Sequence, residues 1–299
     1  MKGVWTAVVT PFEENGGIDI NAFRKILHDQ ADAGVAGVVV GGTTGEAPAL
    51  TNEEKKTLVQ AAIKELGGGG AGVVAGTGTN NTRDSVEFSK WASDAGCSGV
   101  LVVTPYYNKP SQTGLEAHFT AVADAVSCEV ILYNVPGRTG ISITAETVMR
   151  LSAHPRIRTL KEATGNVAFT SEILDALSLA GRRMDVLSGD DATFLPLLSV
   201  GAAGVISVAS NLFPRAMVGL YKAFIEGRTQ EALEIHARYY PLFRDLFVES
   251  NPVPVKYAMA HARWCRPDPR APLAPLSEES VRKLQASLDR AGIRKGMKA

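Results

Sequence analysis

Ile157-Arg158-Thr159-Leu160-Lys161-Glu162-Ala163-Thr164-Gly165-Asn166 reads as a short strand running into a Gly-Asn turn and then a helix start. The helix carries Phe169, Ile173, Leu177 and Ala180, apolar positions one or two turns apart. Lys161 therefore falls where an apolar strand is about to end. Lysine is seldom fully buried unless something pairs it or chemistry uses it. One reading is a rim lysine that snorkels to water or pairs with a carboxylate such as Glu162. The other is an amine nucleophile, whose lone pair is freed by desolvation to attack a ketone and form a Schiff base. These ten residues leave both open, and the rest of the chain has to decide.

The same strand-turn-helix unit recurs along the chain. Strand-like runs are Val4–Thr10, Gly37–Gly42, Gly72–Gly76, Val100–Thr104, Val130–Asn134, Ile157–Lys161, Asp185–Ser188 and Gly204–Val208. Helices open near Asn21, Asn52, Thr82, Gly114, Thr144, Val167, Thr193 and Pro214, and Thr51 with Glu54 three residues on is a capping-box signature. The strands are nearly continuous in apolar character, as parallel strands covered by helices are. Eight such units predict a (β/α)8 TIM barrel, a fold of about 250 residues, over residues 1–227. A doubly wound open sheet fits less well, because the early Gly-rich turns lack the dinucleotide spacing. Beyond Gly227 the strands stop. Helical patterns at Thr229–Glu249, Pro254–Trp264 and Ser277–Ala291 make residues 228–299 an all-helical extension, expected to pack on the barrel or on a neighbouring subunit.

Composition narrows the function classes. Lys+Arg and Asp+Glu are both 31, so the formal net charge is zero and no long-range field draws the chain to nucleic acid or anionic membrane. The start has no signal-peptide plan, and no apolar run approaches the roughly 18 residues that span a bilayer. Cys97, Cys128 and Cys265 are far apart, without metal-type spacing, and read as reduced, buried small residues of a cytoplasmic protein.

In a (β/α)8 barrel the active site lies at the C-terminal ends of the strands. The second strand ends in Gly42-Thr43-Thr44-Gly45-Glu46, where two glycines let the backbone approach a ligand closely and the threonines offer donors for a small carboxylate; a plain polar turn is the alternative. The fourth strand ends in Thr104-Pro105-Tyr106-Tyr107-Asn108 and the fifth in Tyr133-Asn134-Val135-Pro136-Gly137-Arg138-Thr139-Gly140. Two strand ends thus supply phenols suited to carbinolamine dehydration, and Arg138 offers a fork for a carboxylate. Asp190 and Asp191 end the seventh strand and argue against a phosphorylated substrate. His28, His118, His154, His236 and His261 fall in helical stretches. No His and carboxylate cluster has ligand spacing, so neither a metal nor another cofactor is expected.

Gly42–Glu46, Tyr133–Gly140 and Lys161-Glu162-Ala163-Thr164 together resemble the dihydrodipicolinate synthase family, within the pyruvate-dependent class I aldolases that include N-acetylneuraminate lyase. The likeness covers essentially the whole chain, and Arg138 in its Pro-Gly-Arg-Thr-Gly setting points to the synthase. The resemblance implies a homotetramer, a dimer of dimers, of lysine and diaminopimelate biosynthesis. Its partners would be pyruvate and L-aspartate 4-semialdehyde, condensed to 4-hydroxy-tetrahydrodipicolinate. By the same analogy Lys161 forms the imine, and the Thr43 and Thr44 segment holds the pyruvate carboxylate. Thr43, Tyr107 and Tyr133 relay protons, with Tyr107 crossing to a partner subunit. Arg138 binds the semialdehyde carboxylate, and the main chain at Ile206 lines the pocket. No separate role follows for Glu46 or Glu162.

Two other readings are a different pyruvate aldolase, cleaving a sialic or sugar-derived keto acid, and a catalytically silent keto-acid-binding relative. Family members inhibited by lysine bind it at a subunit interface. Asn80, Asp84 and Tyr106 match part of that pattern, but Ala47, Asn52 and Lys55 stand at the serine and histidine places. Weak or absent inhibition by lysine is therefore expected.

Overall fold

The computed structural model describes residues 1–293, so the last six residues of the helical extension lie outside the description. Eight strands form a closed barrel in the order β1 to β8. They are β1 (Gly3–Ala7), β2 (Gly37–Val40), β3 (Gly72–Gly76), β4 (Gly99–Val103), β5 (Glu129–Asn134), β6 (Ile157–Glu162), β7 (Asp185–Ser188) and β8 (Gly204–Ser207). Recorded pairings such as β4 with β5 and β6 with β7 are parallel. Strands buried along almost their whole length explain the apolar runs, for a parallel barrel strand meets side chains on one face and helices on the other.

Helices alternate with the strands: α1 (Ile20–Asp32), α2 (Asn52–Leu66), α3 (Thr82–Asp94), α4 (Gln112–Asp124), the single turn α5 (Pro136–Thr139), α6 (Ala145–Leu151), α7 (Val167–Leu179), α8 (Phe194–Ser199) and α9 (Pro214–Ile225). Most of the longer ones open on a side-chain cap. Asp19, Asn81, Ser111, Thr144 and Asn166 each accept a first-turn amide. Thr51 and Glu54 form the reciprocal capping box that their spacing predicts. Strand starts agree with the sequence reading to within one residue. Strand ends come earlier at β1, β2, β4 and β8, where the backbone leaves the ladder for the following turns.

By contacts the chain forms two compact units, Met1–Gly3 with Gly72–Ile206, and Val4–Ala71 with Ser207–Ala299. In the first, the β8 end of the barrel seam depends on a glycine: the Gly3 amide donates to the Ala203 carbonyl at 3.0 Å, and a Cβ on Gly204 would press on the Gly3 backbone. In the second, α10 (Thr229–Asp245), α11 (Val253–His261) and α12 (Glu278–Arg290) make up the helical extension. Helix α10 packs against α9, with the Tyr239 ring stacked on Phe213 at 4.7 Å. The Ser287 hydroxyl donates to buried Asp245 at 2.6 Å, tying α12 to α10.

Two expectations need correcting. His154 lies in the turn after α6 rather than in a helix, because α6 stops at Leu151 ahead of Pro155. Of the three cysteines only Cys97 is buried, while Cys128, in the bend before β5, and Cys265, in the turn segment after His261, are partly accessible. Among the described residues no helix is long and apolar enough to cross a membrane.

Candidate active site

In the first unit, Lys161 and Tyr133 come together by strand register. They are Cα partners on β6 and β5, and alternation of side chains sends both to the same face. Each is 6% exposed, and the Lys161 amine lies 4.2 Å from the centre of the Tyr133 ring. Gly189, just beyond β7, keeps this corner open: a Cβ there would fall 3.1 Å from Lys161 Cε and 2.6 Å from the Ala163 methyl. A glycine is required at 189 by space alone. Ile206 is fully buried on β8.

Glu162 has a structural task that the sequence reading leaves blank. Its side chain points to the opposite face of β6 from Lys161 and is buried. One carboxylate oxygen accepts from the Asn134 amide at 2.8 Å, the other from the Thr164 backbone N–H at 2.6 Å. Asn134 in turn accepts from the Ile143 N–H at 3.1 Å, so a single network ties the ends of β5 and β6 to the following loop. Burial pushes the Glu162 carboxyl above its ordinary range, with the hydrogen bonds opposing.

The tyrosine pair after β4 is divided between roles. Tyr107 is 90% exposed and holds a left-handed backbone at φ +72°, which turns its ring out of the fold. Tyr106 is less exposed. The loop is held by Asn108, whose side-chain amide donates to the Asn80 carbonyl at 2.9 Å. Arg138 sits on the exposed turn α5, whose end is fixed by the buried hydroxyl of Thr139. Asp84 is exposed in the first turn of α3. Asp191 is buried, whereas burial raises the Asp190 carboxyl above its usual range.

In the second unit, Thr43 and Thr44 lie on the turn that follows β2. The turn is closed by its own backbone, Gly45 N–H to the Gly42 carbonyl at 3.1 Å and Glu46 N–H to the Thr43 carbonyl at 3.0 Å. The Thr10 hydroxyl clasps it from outside through the Gly45 carbonyl at 2.7 Å. The two glycines of the turn differ: a Cβ on Gly45 would meet the backbone of Gly41 and Val8, each at 3.2 Å, whereas one on Gly42 would meet only the Val39 side chain at 3.6 Å. The close approach that Gly45 permits is to the chain itself.

The turn ends on Glu46, a non-glycine residue in left-handed conformation at φ 57°, a strain of order 1–3 kcal/mol. Its carboxylate is buried against an equally buried cation. Lys256 of α11 donates to it at 2.7 Å, and the second oxygen accepts from the Arg270 N–H at 2.8 Å. Lys256 also donates to the Asp268 carbonyl at 2.7 Å and lies 4.1 Å from the centre of the Phe12 ring. Asn251, just before α11, donates its side-chain amide to the Thr44 hydroxyl at 2.9 Å. None of these partners follows from the sequence reading.

A family model, the Dihydrodipicolinate synthetase family, matches residues 1–291. The chain belongs to that family. It is 44% identical over 296 residues to the 4-hydroxy-tetrahydrodipicolinate synthase of Leptospira biflexa serovar Patoc, covering 98% of this chain and 99% of that one. With the synthase of Geobacter sulfurreducens it shares 45% over 285 residues, 95% of this chain and 97% of the relative. Among solved structures, the synthase of the methanotroph Methylacidiphilum fumariolicum superposes with a TM-score of 0.94 at 44% identity, covering 98% of this chain and 96% of that one. These dihydrodipicolinate synthetase family members thus share both the barrel and the helical extension with this chain.

Proposed function

We propose that the chain is a lyase that condenses pyruvate with L-aspartate 4-semialdehyde to 4-hydroxy-tetrahydrodipicolinate, in lysine biosynthesis via diaminopimelate. One observation carries the chemistry: a buried lysine at the end of a barrel strand, with a buried tyrosine beside its amine.

The neutral Lys161 amine attacks the pyruvate ketone to form a carbinolamine, and loss of water gives the imine. The imine withdraws electrons, so a proton leaves the pyruvate methyl group and an enamine forms. The enamine carbon attacks the aldehyde, whose oxygen takes a proton as the C–C bond closes. The amine of the former semialdehyde then displaces Lys161 by transimination and closes the ring. Tyr133, with Thr43 and Tyr107, moves the protons of these steps. The imine itself supplies the electron sink, and no metal or other cofactor takes part.

Thr43 and Thr44 offer the donors for the pyruvate carboxylate, while the backbone at Ile206 lines the pocket. Arg138, exposed on its turn after β5, receives the carboxylate of the semialdehyde. Tyr107 points out of its own subunit at 90% exposure, which suits a relay completed across a dimer interface within a homotetramer. A neutral net charge suits a cytoplasmic enzyme, and among the described residues no helix is long and apolar enough to cross a membrane.

A coupled assay with both substrates tests this reading. Turnover that depends on pyruvate and semialdehyde together supports it. Pyruvate release from N-acetylneuraminate or a sugar-derived keto acid, without condensation, would assign the chain to the other aldolases.

A further inference from the structure

The carboxylate-binding turn is held at both ends by one short stretch of the helical extension. Asn251 reaches Thr44, and Lys256, five residues on, reaches Glu46. All four side chains are buried, Asn251 to 5% and the Lys256–Glu46 pair to 0% and 1% exposure.

The direction of the first bond matters. A side-chain amide nitrogen can only donate, so the Thr44 oxygen must accept. A hydroxyl has a single proton. With its oxygen already accepting from Asn251, Thr44 is left to donate that proton elsewhere, and an anion is the partner such an oriented donor favours. Hydrogen-bonding Asn251 therefore does for Thr44 what an orienting group does for a general base: it fixes which way the proton points.

The second contact explains how the turn keeps its shape. Glu46 holds a left-handed backbone that a glutamate does not prefer. A buried carboxylate must be paired, and the Glu46 carboxylate is held by Lys256 of α11 and by the Arg270 N–H in the segment that follows α11. Arg270 extends the clamp, donating to both carboxylate oxygens of Glu54 at 2.6 and 2.8 Å and to the Ala49 carbonyl at 2.9 Å, with its guanidinium 4.4 Å from the Phe12 ring. The turn is thus fastened from Thr44 through Glu54 by side chains more than 200 residues away in sequence.

We infer that Asn251 and the Lys256–Glu46 pair are positioning residues for the pyruvate carboxylate, Asn251 by orienting the Thr44 hydroxyl and the pair by pinning the end of the turn. The inference rests on the pyruvate reading above and adds residues to it.

Asn251→Ala is tested by trapping the imine with borohydride across a range of pyruvate concentrations, alone and in a Thr44→Val background. The half-saturating pyruvate concentration should rise about 5- to 30-fold, part of the roughly 12- to 160-fold that outright loss of a hydrogen bond to a charged group costs, since the Thr44 hydroxyl remains but is no longer oriented. Maximal labelling of Lys161 and the KM for the semialdehyde should hold. In the Thr44→Val background the same substitution should change half-saturation less than about twofold, since the hydroxyl it orients is already gone. Asn251→Asp keeps the side-chain shape should alanine destabilise the chain. It reverses the hydrogen bond, so the rise should be at least as large and should fall in the Thr44→Val background. An unshifted curve, an equal shift with and without the Thr44 hydroxyl, or a parallel rise in KM for both substrates would overturn the clamp. Absence of labelling in the unaltered protein would instead overturn the pyruvate reading beneath it.

Discussion

The Lys161 amine sits 4.2 Å from the centre of the Tyr133 ring because the two residues are register partners on adjacent parallel strands. Their proximity is thus a property of the β5–β6 ladder, and whatever holds that ladder's end holds the lysine–tyrosine pair. Glu162 and Asn134 are the next register pair, and they hold it by a hydrogen bond on the far face.

Glu162→Ala should therefore act on stability and chemistry together. It leaves the Asn134 amide and the Thr164 N–H without their acceptor, at a cost of about 2–4 kcal/mol for two buried donors. Glu162→Gln separates the charge from the shape. Burial raises the folded-state carboxyl above its ordinary 4.5, so folding takes up a proton in the window just above that value. Stability should fall as pH rises through that window in the natural chain, and the slope should flatten in Glu162→Gln. Melting temperatures of both proteins from pH 4 to 7 check the sign; parallel profiles would show that Glu162 is not the group responsible.

Arg138→Ala should cost about 10- to 100-fold in kcat/KM for the semialdehyde, the equivalent of one charge-assisted hydrogen bond of roughly 1.5–3 kcal/mol. Imine formation with pyruvate should survive. An equal loss of imine trapping would move Arg138 from the second substrate to the first, or to the fold.

How much of this was legible in the sequence depends on range. Local signals carried the barrel, from the Thr51–Glu54 capping box to the strand limits of β3 and β7, because short-range backbone chemistry sets them. Lys161 and Tyr133 were legible as strand-end residues for the same reason. Glu46 was not, for its partner lies 210 residues away and no periodicity links the two. One signal was available: Pro252-Val253-Pro254-Val255-Lys256 places a lysine in an apolar run, the argument that singled out Lys161. The packing of Gly45 against the backbone of Gly41 and Val8 was not legible, because a sequence shows that a Cβ is missing, not which atoms fill the space.

On the proposed relay, the exposed and left-handed Tyr107 would be contributed across subunits. Mixed subunits of Lys161→Ala and Tyr107→Phe, each inactive alone, should regain activity after exchange. No recovery once exchange is verified by mass would place the whole relay within one chain.

Lysine should inhibit weakly or not at all. By the family analogy Lys55 stands where the ammonium of an incoming lysine would sit, and it would meet that ammonium with a like charge. Two such charges about 6 Å apart repel by roughly 3 kcal/mol at an effective dielectric near 20. Burial holds the Lys55 ammonium below its ordinary range, which softens that repulsion as pH rises. Steady-state rates in rising lysine decide the matter: half-inhibition at sub-millimolar lysine near neutral pH would refute the charge argument.

Everything chemical in this account passes through one amine, so the most direct measurement is the mass of the peptide that carries it. Pyruvate followed by borohydride should add one reduced pyruvyl group to the peptide containing Lys161, and Lys161→Ala should remove the adduct without unfolding the barrel. A stable adduct on another lysine, or none on the folded protein at saturating pyruvate, would contradict the mechanism.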